Sequence, residues 1–298
     1  MNLLTLVQQA TGEMGLPIPA YVVGNTTTDT VQQMAMLNAA GMEIVRNHPW
    51  QGLDKEYRFP TLSSTLTGTT VAGSAVVTGL SSTTGLDTTY MVNGNGIGAD
   101  TSIVSVDSST QVTLNQTATV SATSSLVFGK TQYTLPSDYD RPINSTQYDK
   151  SRRWKMLGPL TSQQWQSIKS AWVTSAPMIR FRILANKFQI WPLVSTGDIL
   201  GFEYMSNAWV TPVTGANKTL FTLDTDTCLF PDRLMILALK RKYFEIKGFD
   251  TQYFERDYNF ELNRAKTADT GAATLSYAPR NTSMLLGPSN IPDTGYGT

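Results

Sequence analysis

The stretch PDRLMILALKRKYFEIKGFDTQYFERDYNFELNRAK, residues 231–266, carries the strongest helical pattern of the chain. Pro231 suits the first turn of a helix that Gly248 ends, and Asp250 can cap a second helix reaching about Lys266. The apolar positions of the first helix recur at helical spacing: Leu234, Leu237, Ala238 and Phe244. The pattern therefore predicts a tight helical hairpin that turns at residues 248–250.

Two further helices are predicted near the N-terminus. The apolar positions of the first are Leu3, Leu4, Leu6, Val7, Ala10 and Met14. Gly15 and Pro17 end this helix, and the second starts after TTTD, with Asp29 as its cap, and runs to His48 before Pro49. Because GLPIP, residues 15–19, is a stiff connector, we expect these two helices to form an early hairpin.

Strand and capping signals occupy much of residues 130–210. LTSQQW, residues 160–165, predicts a helix start in which Thr161 and Gln164 form a capping box. MIRFRIL (178–184) and FQIW (188–191) predict a β-hairpin, with Ile179, Phe181 and Ile183 on one face and Arg180 and Arg182 on the other. ILGFEYMS (199–206) predicts a third strand.

Residues 62–129 differ from the rest in composition. VAGSAVVTGL (71–80), TTYMVNG (88–94), ADTSIVSVDSSTQVTLN (99–115) and ATSSLVFG (122–129) are short alternating runs separated by Gly, Asn and Asp-Ser turns. Between residues 61 and 129 the charged side chains are Asp87, Asp100 and Asp107. This pattern predicts an inserted all-β domain, an Ig-like or other small sandwich or barrel.

These signals together predict an α+β protein with a helical core, a small antiparallel sheet and an inserted β domain. We expect four segments: N-terminal helices at 1–61, the insert at 62–129, sheet and helical hairpin at 130–267, and an arm at 268–298. The arm is rich in Gly, Pro, Ser and Thr and has no apolar periodicity. We therefore expect it to be extended.

Composition excludes several classes of protein. The 298 residues include 23 basic and 23 acidic side chains, and this balance argues against a dedicated DNA binder, though not against a protein that DNA passes. The single cysteine, Cys228, excludes a disulfide framework and a multi-cysteine metal site. Apolar runs such as 234–239 are too short to span a bilayer, and MNLLTLVQQATGEMG lacks the features of a secretory signal.

Two motifs resemble ligand sites but are better explained as turns. GNGIGA (94–99) fits a dinucleotide fingerprint, yet DTSIVSV follows it as a strand where the fingerprint requires a helix. DTDT (224–227) resembles the start of a calcium loop, but Leu229 and Met235 stand where Gly and Glu are required. We expect turns or helix caps at both places.

Few side chains are candidates for catalysis. His48, the only histidine, lies at a helix end, and Cys228 is best explained as a buried thiol. Glu255 with Asp257 or Glu261 could supply a glycosidase pair, but neighbouring carboxylates are ordinary on a solvated helix. We expect no catalytic residue, no cofactor and no metal site.

Two short basic clusters are RRWK (152–155) and KRK (240–242). We interpret both clusters as part of an interface or of the solvated surface, in preference to phosphate-binding sites. Five tryptophans lie between residues 154 and 209, and this density suits both core packing and subunit interfaces: Trp154, Trp165, Trp172, Trp191 and Trp209.

An ordered set of motifs resembles the head-to-tail adaptor (connector) proteins of short-tailed double-stranded DNA bacteriophages. The motifs are LNAAGMEIVRNHPWQGL (37–53), YTLPSDYDRPI (133–143), LGPLTSQQW (157–165), FRILANKFQIWP (181–192), GFEYMSNAWV (201–210) and DTDTCLFPDRLMILALKRKYFEIKGFD (224–250). The resemblance covers about residues 1–60 and 130–268. TGTTVAGSAVVTGLSSTTGL (67–86) resembles a β module that recurs as an insertion in phage structural proteins.

The resemblance implies a non-enzymatic virion protein of the neck, assembled in the host cytoplasm. Its expected partners are the portal protein, the tail nozzle protein and further copies of itself in a ring, usually a dodecamer, with tail-fibre docking left open. Genomic DNA would pass through the channel without specific binding, and no membrane is involved. The resemblance also implies that the arm binds the portal, with these contact residues: Leu275, Tyr277, Met284, Leu285, Leu286 and Ile291.

Two alternatives remain open at the level of sequence. The first is a virion-associated peptidoglycan hydrolase that uses carboxylates of the last helices, such as Glu255 or Glu261. The second is a glycan-binding surface module that acts through residues 62–129.

Overall fold

The computed structural model describes residues 1–170 and 178–270, and within them the protein has five helices and several small antiparallel sheets. The mixed α+β class predicted from the sequence is confirmed. The helices are α1 Leu3–Met14, α2 Thr28–Asn47, α3 Ser162–Lys169, α4 Asp232–Lys247 and α5 Gln252–Thr270, and a 3₁₀ turn spans Gln51–Leu53. The strands are β1 Asp54–Pro60, β2 Ser63–Thr70, β3 Val76–Val77, β4 Tyr90–Gly94, β5 Ile103–Ser108, β6 Gln111–Leu114, β7 Ala122–Lys130, β8 Gln132–Thr134, β9 Tyr139–Pro142, β10 Tyr148–Asp149, β11 Trp154–Lys155, β12 Arg180–Leu184, β13 Lys187–Trp191, β14 Ile199–Ser206, β15 Val210–Thr211 and β16 Thr227–Cys228.

Several helix ends follow the predicted signals. Gly15 and Gly248 end α1 and α4 in the left-handed region, with φ of 70° and 76°. At α3, Thr161 Oγ1 accepts from Gln164 N, and Gln164 Oε1 accepts from Thr161 N, which confirms the capping box. Asp250 accepts from Gln252 N at the start of α5.

Two predicted helix starts are displaced by a residue or two. Thr27 is the N-cap of α2, and Asp29 lies inside the first turn, where its negative charge still favours the helix N-terminus. Pro231 is the N-cap of α4, so the helix begins at Asp232.

Helix α4 forms the centre of the helical core. The sequence predicts one apolar stripe on it, but six consecutive residues of its first half are buried: Leu234, Met235, Ile236, Leu237, Ala238 and Leu239. Helices α1, α2 and α5 each pack against α4, and they share one core cluster with it. The predicted hairpin of α1 and α2 is therefore wrong, because both helices find their main apolar partner in α4.

A second core lies between two sheets. Strands β12, β13 and β8 form one sheet, while β14 pairs with β1, β9 and β10 in the other, so the third predicted strand does not join the predicted hairpin. The rings of Phe181, Phe188 and Phe202 stack in sequence at centroid distances of 5.1 and 5.0 Å. This stack connects β12 and β13 to β14.

Residues 63–130 form a small barrel. The sheets β2-β7-β4 and β3-β6-β5 meet at two seams, bridged between Thr69 and Thr78 and between Met91 and Ser102. The six strands therefore close around a separate core: Val77, Leu80, Tyr90, Val92, Ile103, Val112, Leu114, Leu126 and Phe128. Each seam consists of one isolated bridge between the two three-stranded sheets.

The barrel is attached to the rest of the chain at neighbouring points. Ser63 and Gly129 are paired across β2 and β7, and Lys130 N donates to Leu62 O at 2.8 Å. The two ends of the segment therefore lie side by side. Lys169 Nζ of α3 adds an ion pair to Asp100 Oδ1 at 2.7 Å.

Candidate functional site

The predicted portal contacts fall in the C-terminal arm. Leu275, Tyr277, Met284, Leu285, Leu286 and Ile291 all lie outside the described residues. The described part ends with α5, whose last turn is held by Asp269. Its carboxylate accepts from Gln51 N at 3.1 Å and lies 3.3 Å from His48 Nε2. The base of the arm is thereby fixed beside the end of α2.

The basic cluster at residues 240–242 is paired with acidic side chains at the surface of the helical core. Lys240 donates to Glu13 of α1 at 2.9 Å, and Arg241 and Lys242 both donate to Glu43 of α2. The Arg241 guanidinium also lies 4.3 Å from the centre of the Tyr258 ring on α5. These side chains join α4 to its three neighbours within the chain, and their charges already have partners.

The other basic cluster surrounds a tight loop. Arg152 pairs with Asp198 at 2.9 Å, and the amides of Ser151 and Arg152 donate to the buried Asp149. Trp154 in the same loop is exposed, unlike Trp165, Trp191 and Trp209, which are buried. Trp172 lies outside the described residues.

The aspartates of residues 224–227 hold the chain together rather than a cation. Asp226 accepts from the amides of Thr222 and Leu223, both at 2.9 Å, and Lys218 Nζ lies 3.2 Å from it. Asp224 accepts from the amides of Val22 and Val23. Burial raises the pKa of Asp226, but the amide donors and Lys218 outweigh it and leave this pKa below its ordinary value. The turn interpretation is confirmed.

The glycine-rich motif at residues 94–99 is a turn. Gly94 ends β4, Ile97 N donates to Gly94 O, and β5 follows at Ile103 instead of a helix. The helix N-terminus that would hold a pyrophosphate is therefore replaced by a strand.

The histidine and the cysteine have separate structural partners. His48 lies beside Asp269 and meets Trp50 edge to face at 4.9 Å. The Cys228 thiol donates to Phe230 O, and burial raises its pKa to about 11. A thiol with so high a pKa is a poor nucleophile near neutral pH.

The carboxylates proposed for hydrolysis are either exposed or paired with an arginine. Glu255 is exposed on α5, Asp257 accepts from Arg256, and Glu261, whose side chain is 16% exposed, lies 3.8 Å from Arg264. A general acid for glycoside cleavage is a carboxyl in a water-shielded, apolar setting, whereas Glu255 is exposed and Glu261 has a cation beside it.

Residues 1–170 and 178–270 contain no group of three or more His, Cys, Asp or Glu side chains placed to hold a metal ion. None of the helices in those ranges is long and apolar enough to cross a bilayer.

Exposed apolar side chains occur in every part of the described chain, and the helical hairpin α4–α5 carries four large ones that the sequence analysis did not predict. Ile246, Phe249, Tyr253 and Phe260 of the α4–α5 hairpin are 61%, 63%, 69% and 71% exposed. Patches of this kind mark interaction surfaces in soluble proteins. The α4–α5 hairpin therefore exposes apolar side chains on one side while it buries others in the core.

Comparison with known families agrees with these features. The chain matches the family described as SU10 adaptor protein over residues 1–282, and no curated protein sequence matches it. The protein is thus a structural adaptor of a bacteriophage, a virion component that contacts other virion proteins. It belongs to the SU10 adaptor protein family.

Proposed function

We propose that this protein is the head-to-tail adaptor in the neck of a short-tailed phage. Copies of the chain form a ring, a dodecamer by resemblance, which attaches beneath the portal and presents its other face to the tail nozzle. The observation that carries the proposal is the family match, which spans the whole described structure and the first part of the arm.

The adaptor acts through assembly geometry without turnover. The exposed position of Glu255 and the ion pairs of Asp257 and Glu261 support this part of the proposal. His48 and Cys228 also have structural partners that account for them. No observation favours the hydrolase.

The ring contributes part of the DNA ejection channel and lets DNA pass. A channel wall with many free basic groups would retain DNA through phosphate contacts. The chain has a formal net charge of zero, and its KRK cluster is paired with Glu13 and Glu43. Both facts support passage without specific binding.

The arm supplies the portal contact. Its apolar residues are too few and too scattered to fold alone, but such a segment can become ordered against the groove of a partner. Helix α5 extends to Thr270, past residue 268 at which the sequence predicts the arm to begin.

A truncation that respects this boundary tests the arm. Removing residues 271–298 keeps the Asp269 contacts and should leave the helical core folded, while abolishing co-purification with the portal ring. A Leu285→Asp/Leu286→Asp variant should weaken the complex strongly. Thr282→Asp/Ser283→Asp adds the same charge nearby and serves as the matched control. Full portal binding by the truncated chain would refute the arm's role.

Residues 62–129 act as a decoration on the adaptor. The separate barrel core and the adjacent ends of the segment support an inserted domain. We assign it no ligand.

A further inference from the structure

Helix α5 presents an exposed aromatic face, and the one cation over it in the described residues is Arg256 of the same helix, 5.6 Å from the centre of the Tyr253 ring. Tyr253 and Phe260 are seven residues apart, about two helical turns, so they lie on the same side of the helix. The buried residues Tyr258, Leu262 and Ala265 lie on the opposite side. We name Tyr253 and Phe260 the α5 stripe.

Helix α2 presents a second uncovered face. Val31 is 50% exposed, Met42 is 42% exposed, and Ala35 between them is exposed as well. At 100° per residue these three positions fall within one narrow arc, opposite the buried Leu37 and Ile44. We name Val31, Ala35 and Met42 the α2 stripe. Its small central residue leaves room for an aromatic ring from outside.

One charge beside each stripe has the opposite sign to the other. Arg46 ends the α2 stripe, and the described residues place no carboxylate within 4.0 Å of it. Asp257 beside the α5 stripe is 52% exposed and pairs with the exposed Arg256 of the same helix at 3.0 Å, so it would exchange this partner for Arg46 in the interface. Charge pairs at the rim of an interface fix orientation and exclude wrong partners. Arg46 against Asp257 would set the register between the stripes.

The area of the α5 stripe suits the centre of an interface. Two aromatic side chains at this exposure offer roughly 200–350 Å² for burial, against about 800 Å² per partner in a standard interface. Ile246 and Phe249 extend the apolar surface towards the hairpin turn. Weak individual contacts suffice in a ring, because closure makes each copy bind twice.

We infer that the α5 stripe of one copy packs against the α2 stripe of the next copy. A ring needs two different patches on each chain, since a single self-complementary patch produces only a two-fold dimer. The stripes supply two such patches on the helical core. The inference rests on the proposed ring and deepens it by naming the contact between copies.

Disulfide trapping in a Cys228→Ala background tests the contact. Ala35→Cys combined with Phe260→Cys should give an oxidised ladder from dimer up to the full ring when the chain is bound to the portal. Either cysteine alone should give monomers. A double variant without a ladder would overturn the inference, as would dimers from Phe260→Cys alone, which indicate a two-fold contact between α5 helices.

Hydroxyl-radical footprinting of the unsubstituted chain provides a test that needs no variant. Tyr253, Phe260 and Met42 should lose labelling severalfold on assembly, with the exposed Val104 of the barrel as the control for radical access. A portal complex in which both stripes are still labelled refutes the contact between the stripes but not the proposed function. A chain that never joins the portal refutes the proposed function. In that case the contact between the stripes is tested by oxidising the double-cysteine variant at high concentration without the portal.

Discussion

Asp226 is a buried carboxylate on which three separate parts of the chain depend. Its side chain holds Thr222, Leu223 and Lys218, while its carbonyl accepts from Leu3 N at the start of α1. The turn therefore fixes the N-terminal helix to the segment that leads into α4. A charged group at such a position stabilises the fold only while every donor stays in place.

Replacing Asp226 by Asn should lower the free energy of unfolding by about 1.5–3 kcal/mol at neutral pH, because hydrogen bonds to a charged acceptor are lost. Urea unfolding measures the change. Asp107→Asn is the matched control, since Asp107 also accepts from several side chains but is exposed to water. We expect the control to unfold like the unsubstituted protein.

The pH dependence of the same variant has a defined sign. The pKa of Asp226 is lower in the folded state, so its contribution is complete above the unfolded pKa, near 4, and is lost as the pH falls through the folded value. The difference in the free energy of unfolding between the unsubstituted protein and the Asp226→Asn variant should therefore become smaller below about pH 4. A constant gap down to pH 2 would contradict this role.

Helices α1 and α2 each contain a glycine, and the two glycines differ in how closely neighbouring side chains approach them. A Cβ atom at Gly41 of α2 would lie 2.1 Å from Trp209, whereas at Gly12 of α1 the nearest atom is 4.0 Å away. Trp209 is buried against Phe221 and Phe230, so it cannot move aside. The small residue at position 41 thus allows the tryptophan to pack on α2.

These two glycines predict opposite effects of the same substitution. Gly41→Ala should destabilise by about 1–3 kcal/mol through overpacking, and Gly12→Ala should stabilise by about 0.5–1 kcal/mol through helix propensity. Thermal and urea unfolding of both variants provide the comparison. Equal effects at the two positions would show that Trp209 does not constrain α2.

Local signals in the sequence predicted where single helices begin or end better than they predicted which elements pack or pair with each other. The ends of α1 and α4 and the capping box of α3 depend on residues within a few positions, and these predictions were correct. The partners of α1, α2 and β14 depend on contacts between distant residues, which no periodicity reveals. The same limit applies to the ion pair between Lys169 and Asp100.

The exposed stripes were missed for a different reason. Val31 and Ala35 are apolar like Leu37 and Ile44, although at 100° per residue the two pairs fall on opposite sides of α2. A helical wheel of α2 would have separated the two faces. The arm residues remain a prediction.

At the scale of the whole molecule, the barrel is a candidate for removal. Its core is separate from the other two, and Leu62 and Lys130 are already hydrogen-bonded at its base. A two-residue Asn-Gly turn fits between such paired residues. The rest of the chain can therefore close without the barrel.

Joining Leu62 to Lys130 through Asn-Gly should give a folded protein that still binds the portal. Circular dichroism and portal co-purification are the measurements, and the isolated barrel offered to host glycans tests the alternative role. An unfolded remainder would mean that residues 63–129 belong to the core. Glycan binding by the barrel would assign it a receptor role.

The central claim is that this chain completes the portal as a ring, and native mass spectrometry of the chain mixed with portal rings tests it most directly. We predict a complex heavier than the portal by a fixed multiple of 32.7 kDa, with twelve copies expected by resemblance. A portal whose mass is unchanged at saturating adaptor would contradict the account.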